Sequence, residues 1–372
     1  MIPRLQNRIQ KVIIQADTDD QRLSRPVERI LYTCSRIYEL AVRLRIYLYE
    51  NGIFKQRSLP CKVISIGNIT VGGTGKTPMT QYIANLLKGF GLKVAVLSRG
   101  YGGLAQGSGG IVSDGNKILM PPDVSGDEPQ LLASGLNGIP VLVGKDRYRA
   151  GRQAIESFAP SVLVLDDAFQ HLALKRDLNL LLLDSATPFG NGHCLPRGRL
   201  REPPEQILRA SAFIFTRWTG KNDLTQATSM VRAHAGERPV FKCAHVPESL
   251  FLPAREEFLD PCSLKNRRLF AFSGIARNDN FRNTLSDLGA DIAGFQEFPD
   301  HHRYSSHDLE TIWKMARDLN VDNIVTTEKD YINIQTEIPP TPELLVLTIS
   351  ISFGNEAETF ANYLKSKLID GN

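Results

Sequence analysis

The 372-residue chain is poor in cysteine, and none of its five (Cys34, Cys61, Cys194, Cys243 and Cys262) forms a CxxC pair. An odd count without a pairing pattern argues against a disulfide framework and for a reduced compartment. No run of about 18 uncharged apolar residues occurs, which excludes a membrane-crossing helix. The N-terminus lacks an apolar h-region, so no signal peptide is expected. There is little charge bias: 44 Lys and Arg against 40 Asp and Glu leave +4, too balanced for nucleic acid as the main partner. Internal repeats and low-complexity segments are absent. With 42% hydrophobic and 23% charged residues, 29 Gly and 21 Pro, the composition excludes a disordered, collagen-like or coiled-coil chain. What remains is globular, and at about 150 residues per domain the length predicts two domains.

Residues 1–25 are mostly polar and read as a tail. Over residues 27–54, Ile30, Cys34, Ile37, Ala41, Leu44 and Leu48 recur every three to four residues, one helical stripe. Arg29, Arg36 and Arg43 form a second stripe, and Tyr32, Tyr38, Tyr47, Tyr49 and Phe54 add aromatic bulk. Two readings follow. A basic amphipathic helix with aromatics lies on an anionic membrane surface; an ordinary helix packs its apolar stripe on the core and solvates its arginines. Pattern alone favours the second.

From residue 61 the pattern turns α/β. Lys62–Ile66, Val94–Leu97, Val141–Val143, Val162–Leu165, Leu178–Leu183 and Phe213–Phe215 read as strands, with helices over Thr77–Gly89 and Arg147–Phe158. Alternation of this kind predicts a parallel sheet covered on both faces. Residues 236–268, with Pro239, Pro247, Pro253 and Pro261 among mixed polar residues, read as a connection. Leu269–Phe272, Ile324–Thr326 and Leu344–Leu347 then predict a second, smaller α/β unit. The expected organisation is a tail and helix over 1–57, a nucleotide-binding catalytic domain over 58–235, and a hinge with the smaller domain over 236–372.

The most informative stretch is Ile64-Ser-Ile-Gly-Asn-Ile-Thr70-Val71-Gly72-Gly73-Thr74-Gly75-Lys76-Thr77-Pro78. A strand runs into a glycine loop, and Lys-Thr opens a helix. Glycines let backbone N–H groups turn onto a polyphosphate, and the helix N-terminus adds partial positive charge. Lys76 reaches the β/γ-phosphates and the Thr77 hydroxyl holds Mg²⁺ in such a loop. Pro78 costs little in the first turn, where its missing N–H has no intrahelical partner anyway. Thr70 stands where GxxxxGK[ST] has its first glycine. Downstream, Ser161-Val-Leu-Val-Leu165 ends in Asp166 and Asp167, carboxylates placed to hold Mg²⁺ directly or through water. These features predict a P-loop fold that binds a nucleotide with Mg²⁺.

Two P-loop classes lose ground. A GTPase wants DxxG after its metal strand and a base-reading NKxD; here Asp166 precedes Asp-Ala-Phe, and Thr327-Glu-Lys-Asp330 is a poor NKxD. A membrane-associated ATP switch of the partitioning type carries an extra Lys where Val71 stands. Kinase chemistry gains, with a P-loop kinase of a soluble small molecule as a further alternative.

Seven stretches in order resemble the tetraacyldisaccharide 4′-kinase family, the lipid A 4′-kinases of Gram-negative bacteria. They are Ser65–Pro78, Leu97-Ser-Arg-Gly-Tyr-Gly102, Gly126-Asp-Glu-Pro129, Val143-Gly-Lys-Asp-Arg147, Leu165-Asp-Asp-Ala-Phe-Gln-His171, Pro188–Pro203 and Phe298-Pro-Asp-His-His302. Departures are small: Ala168 replaces an expected Gly, and Arg197 and Arg199 stand in the LPxGxLREP stretch. The resemblance implies ATP-dependent phosphorylation of the 4′-hydroxyl of a tetraacyldisaccharide 1-phosphate. It implies two hinged α/β/α domains with ATP in the cleft and a lipid A disaccharide precursor as partner. It also implies peripheral attachment to the cytoplasmic face of the inner membrane, which turns the N-terminal helix into the membrane contact. No obligate protein partner is implied. Asp127 becomes the candidate base, oriented across the cleft by His301 or His302. Glu202 becomes a further candidate metal contact beside Thr77, Asp166 and Asp167. Arg199 and Arg201 become candidate phosphate contacts, and His171 a structural residue behind Asp166.

Overall fold

The computed structural model describes residues 25–220, 223–334 and 336–370. The polar tail expected over 1–25 falls almost wholly outside them. The architecture is α/β, with two sheets. The first contains β1 (Lys62–Asn68), β2 (Val94–Ser98), β3 (Gly110–Ser113), β4 (Val141–Val143), β5 (Val162–Leu165), β6 (Leu178–Asp184), β7 (Ala212–Thr216) and β8 (Val240–Lys242). Their order is β3-β4-β2-β5-β1-β6-β7-β8, parallel except at β3. β1, β2, β5, β6 and β7 are almost wholly buried, as apolar runs in a sheet covered on both faces must be.

The second sheet contains β9 (Ala244–Leu252), β10 (Glu257–Leu259), β11 (Arg268–Ser273), β12 (Asp291–Glu297), β13 (Asn323–Thr327) and β14 (Glu343–Ser352). Its order is β10-β9-β14-β13-β11-β12, with β9 and β10 antiparallel. The stretch expected as a connection over 236–268 therefore forms three strands. Pro247 hid β9: it sits beside the register shift at Thr348/Ile349, where a missing N–H is tolerated. β9 is also largely half-buried, so its residues are mixed rather than apolar. The chain passes from one sheet to the other at Cys243. The C-terminal helix Ala357–Leu368 returns to the first sheet, where Phe360 and Leu364 pack with Ile83, Leu87 and Phe241.

Helix α1 (Arg25–Glu50) presents two apolar faces. Its inner face carries Ser35, Tyr38 and Ile46, the last only 2% exposed. Ser35 Oγ donates to Cys194 O at 2.7 Å, and the Tyr38 hydroxyl to Arg201 O at 2.9 Å. The outer face carries Ile30, Ile37, Leu40, Leu44 and Tyr47, all more than half exposed. The stripe read from the sequence is thus mainly the solvent-facing one, while a second, less obvious stripe packs. The arginines are also not simply solvated: Arg36 and Arg43 pair with Glu39, and Arg43 with Glu205. Among the described residues no helix is long and apolar enough to cross a membrane.

Candidate active site

The glycine loop leaves the C-terminal end of β1 and enters helix α2 (Lys76–Gly89). Gly75 caps that helix at φ 79°, a left-handed conformation that glycine adopts without steric cost. The loop is braced from one side by the Arg199–Arg201 segment. Val71 N donates to Arg199 O at 2.7 Å, Arg201 N to Ile69 O at 2.7 Å, and Arg199 Nη2 to Val71 O at 2.9 Å. Asn68 Nδ2 donates to Thr74 Oγ1 at 2.9 Å, and Thr216 Oγ1 to Thr74 O at 3.0 Å, so β1 and β7 hold its middle. Since α1 is bonded to Cys194 and Arg201, the helix and the phosphate loop share one support.

Asp166 and Asp167 follow β5, which pairs directly with β1. The topology therefore sets both carboxylates beside the loop, at the carboxyl end of the sheet where α/β folds bind ligands. Asp166 is 1% exposed and accepts from Thr80 Oγ1 at 2.9 Å. Burial, reinforced by Glu128 and Asp167, pushes its carboxyl up to about 7. Burial also acts on Asp167, but Lys76 and Arg201 outweigh it and bring that carboxyl down to about 2. Lys76 Nζ lies 3.9 Å and Arg201 Nη1 2.8 Å from Asp167 Oδ1.

Arg201 thus holds a carboxylate, and its candidate role as a phosphate contact is not what this arrangement displays. Glu202 stands apart. It is 1% exposed, paired with Arg209, and surrounded by the charges of Arg201, Arg45 and Arg176. Among the described residues no group of three or more His, Cys, Asp or Glu could hold a metal ion. Two carboxylates and the Thr77 hydroxyl form an all-oxygen set. That suits Mg²⁺, which keeps waters and takes nucleotide oxygens instead of filling an all-protein cage. His171 donates its amide to Ala168 O at 3.0 Å, and its Nε2 is buried and unpartnered; burial and nearby Arg147 hold its imidazole down to about 4.

The third group spans both sheets. Asp127 opens the helix Asp127–Gly135 after Gly126, whose φ of 90° and contact with Tyr101 O leave no room for a side chain. His301, from the loop after β12, reaches it: Nδ1 lies 2.6 Å from Asp127 Oδ2. Burial raises the Asp127 carboxyl, but His301 and Lys329 outweigh it and lower it to about 2. His302 turns away, with Nε2 3.3 Å from Asp308 and its ring stacked on Phe298. The geometry thus brings Asp127 and His301 together and excludes His302. They border a cavity of about 180 Å³ shared with Tyr101, Pro122, Arg303 and Asn333.

This arrangement joins a phosphate loop, a carboxylate pair and a carboxylate–imidazole dyad at the facing ends of two sheets. The family model described as LpxK, tetraacyldisaccharide-1-P 4′-kinase, matches residues 27–369. The chain belongs to this family. It is accordingly an ATP-dependent kinase of the 4′-hydroxyl of tetraacyldisaccharide 1-phosphate, in lipid A biosynthesis. It is 42% identical over 377 residues to the tetraacyldisaccharide 4′-kinase of Desulfatibacillum aliphaticivorans, covering 98% of each chain. It is 44% identical to that of Syntrophus aciditrophicus (strain SB), over 83% of this chain and 85% of the relative. The crystal structure of LpxK from Aquifex aeolicus in complex with ATP superposes with a TM-score of 0.74 at 32% identity. It covers 92% of this chain and 99% of that one.

Sequence reasoning missed four groups at this site. Arg217 and Arg277 converge on Asp184, at 2.7 and 3.3 Å, beside the glycine loop. His245 lies against Gly75. Lys329 lies between Asp300 and His301. None sits in a local pattern with chemical meaning; Lys329 belongs to the stretch read only as a poor NKxD.

Proposed function

We propose that Asp127 is the general base of this 4′-kinase, with His301 orienting it. The supporting observation is the 2.6 Å contact between them, made across two sheets and at the edge of a cavity. A carboxylate held near 2 is ionised at neutral pH but weakly basic, so it takes the sugar hydroxyl's proton as bonding to phosphorus makes that hydroxyl acidic. In the same reading Lys76 and the amides of Val71 to Thr77, with Thr70 at the loop's start, take the phosphates of ATP. Phosphoryl transfer asks mainly for such positioning and charge neutralisation. Thr77, Asp166 and Asp167 hold Mg²⁺, which when bound neutralises charge on the β- and γ-phosphates. Glu202, paired with Arg209, keeps that side of the Arg201 segment in place.

The lipid acceptor calls for access to a bilayer. The outward row Ile30, Ile37, Leu40, Leu44 and Tyr47 of α1 supports peripheral attachment to the cytoplasmic face of the inner membrane, with that row in the lipid interface. The test is incubation with γ-labelled ATP and a lipid A disaccharide precursor, followed by location of the label. Label on the 4′-position that disappears in Asp127→Asn supports the assignment. Label retained at wild-type rate in that variant removes Asp127 as the base.

A further inference from the structure

Lys329 lies at the start of the short helix Glu328–Ile332, directly after β13, with its side chain 20% exposed. Its Nζ donates to Asp300 Oδ1 at 2.8 Å and lies 3.2 Å from His301 Nε2. The opposite nitrogen of that ring, Nδ1, faces Asp127. An ammonium has three donors and no lone pair, so Nε2 can meet it only as an acceptor. The ring proton then belongs on Nδ1, where it is donated to the Asp127 carboxylate.

We propose that Lys329 is a positioning residue that fixes His301 as the neutral, Nδ1-protonated imidazole and so aims the free lone pairs of Asp127 at the acceptor hydroxyl. This rests on the reading of Asp127 as base. Its consequence is a division of labour. As the acceptor oxygen bonds to the γ-phosphorus and the bridge to ADP breaks, the hydroxyl proton passes to Asp127. His301 cannot take it at Nδ1, which already carries one.

The surroundings fit this role. The charged groups facing the His301 ring are Asp127 from the first sheet's side, and Lys329 and Asp300 from the second, with Asp300 Oδ2 3.8 Å from Nε2. Tyr101 meets the ring edge-on. Burial and Lys329 oppose protonation of the imidazole; the two carboxylates favour it and on balance raise its affinity for a proton, so Lys329 is the one charged group here that holds that rise in check. Burial lowers the lysine's own affinity for its proton, but Asp300 and Asp127 outweigh that and keep it charged. The neighbouring residue pins the loop. Asp330, 1% exposed, accepts from Gly274 N at 2.8 Å and from the Tyr304 hydroxyl at 2.9 Å, and Gly274 O accepts the His301 amide. His301 is held there at φ 62°, a conformation non-glycine residues rarely adopt. Adjacent residues of one segment thus hold the backbone and the ring of His301 separately.

The test compares Lys329→Met and Lys329→Arg with the wild type in steady-state kinetics over pH, each also placed in the Asp127→Asn background. Without the ammonium, His301 keeps two carboxylate neighbours and protonates more readily, which ties up Asp127. Lys329→Met is expected to lose kcat by roughly 10–100-fold, a cost in the range of a misplaced catalytic group, with KM for ATP unchanged. The acid limb of its kcat/KM profile should move up by about one pH unit, and Lys329→Arg should bring it back. In the Asp127→Asn background the Met substitution should cost little more, because both act through one unit.

An unmoved acid limb in Lys329→Met, or an equal penalty in both backgrounds, overturns the role of Lys329. A raised lipid KM at unchanged kcat also overturns it and makes Lys329 a substrate contact. Near wild-type turnover of Asp127→Asn alone instead overturns the reading of the base. Should Lys329→Met fail to fold, histidine-selective ¹⁵N NMR of the intact wild-type enzyme at neutral pH decides. An unprotonated Nε2 on His301 supports the proposal, and a protonated one overturns it.

Discussion

His245, the second residue of β9, lays its imidazole against the α-carbon of Gly75, the N-cap of the phosphate-loop helix. A residue just past the crossing between sheets therefore touches the loop proposed to grip the nucleotide. A methyl on Gly75 would collide with that ring and would also strain the backbone, whose φ is 79°. Gly75→Ala should therefore abolish ATP binding and lower the melting temperature. Adding His245→Ala removes the collision and should recover part of that temperature. The remaining deficit is the left-handed strain, roughly 1–2 kcal/mol. A double variant no more stable than Gly75→Ala would show that the ring is not what the methyl meets.

The aspartate pair carries a conflict between stability and function. Asp166 is buried beside Glu128 and Asp167, and its raised carboxyl shows that the charged form is disfavoured there. Asp166→Asn should abolish lipid phosphorylation without lowering the melting temperature. Lys76→Ala should also abolish it, since electrostatic groups of this kind carry several kcal/mol of transition-state stabilisation. Turnover assays and melting curves on the two variants check both statements, and near wild-type turnover in either sinks the assignment.

Asp127→Asn keeps the shape and removes the basicity. Turnover should fall by roughly 10²–10⁴, the range for loss of a general base, while nucleotide affinity persists. Titration of a fluorescent ATP analogue alongside the rate measurement separates the possibilities. A collapse of affinity with the rate would make Asp127 a nucleotide or metal group.

His171 offers a pH test. Burial and Arg147 lower its imidazole to about 4, so the folded protein keeps it neutral where the unfolded chain, at about 6.5, takes a proton. Its contribution to stability is therefore present above pH 6.5 and is lost as pH falls toward 4. Asp166 and Glu328, raised to about 7, slope the opposite way, so the wild-type curve alone is not diagnostic. The difference between His171→Asn and wild type is. Between pH 7.5 and 5 it should shift in favour of the variant by on the order of 1 kcal/mol. Denaturant titrations at both pH values measure it, and a pH-independent difference would contradict a neutral buried His171.

Helix α1 separates its two faces cleanly enough to test each alone. Ile37→Glu with Leu44→Glu puts charge on the outer face and should release the protein from anionic vesicles at unchanged melting temperature. Ile46→Ala opens a cavity on the inner face and should cost about 2–5 kcal/mol with vesicle binding intact. Co-sedimentation and melting curves read both. Retained vesicle binding in the double variant would remove α1 as the anchor.

The phosphate loop and the Asp166–Asp167 pair were legible in the sequence because their chemistry is local, whereas Asp127 was singled out only by the family resemblance. A glycine run before Lys-Thr, or carboxylates ending an apolar strand, has few physical meanings whatever folds around it. The apolar runs of β1, β5 and β6 were legible for the same reason, since only burial on both faces tolerates them. What the tertiary structure decided depends on pieces far apart in the chain. It chose His301 over His302, paired Glu202 with Arg209, and brought Lys329 to a ring whose partner aspartate lies in the other half of the molecule. It also showed that α1 has two faces, one packed on the core and one with exposed apolar side chains, on which the membrane contact is proposed. A helical period says only that residues share a side; which side meets the core is settled by the Cys194 and Arg201 carbonyls that wait for Ser35 and Tyr38. Periodicity and spacing are properties of a segment, whereas partner choice is a property of the whole packed chain.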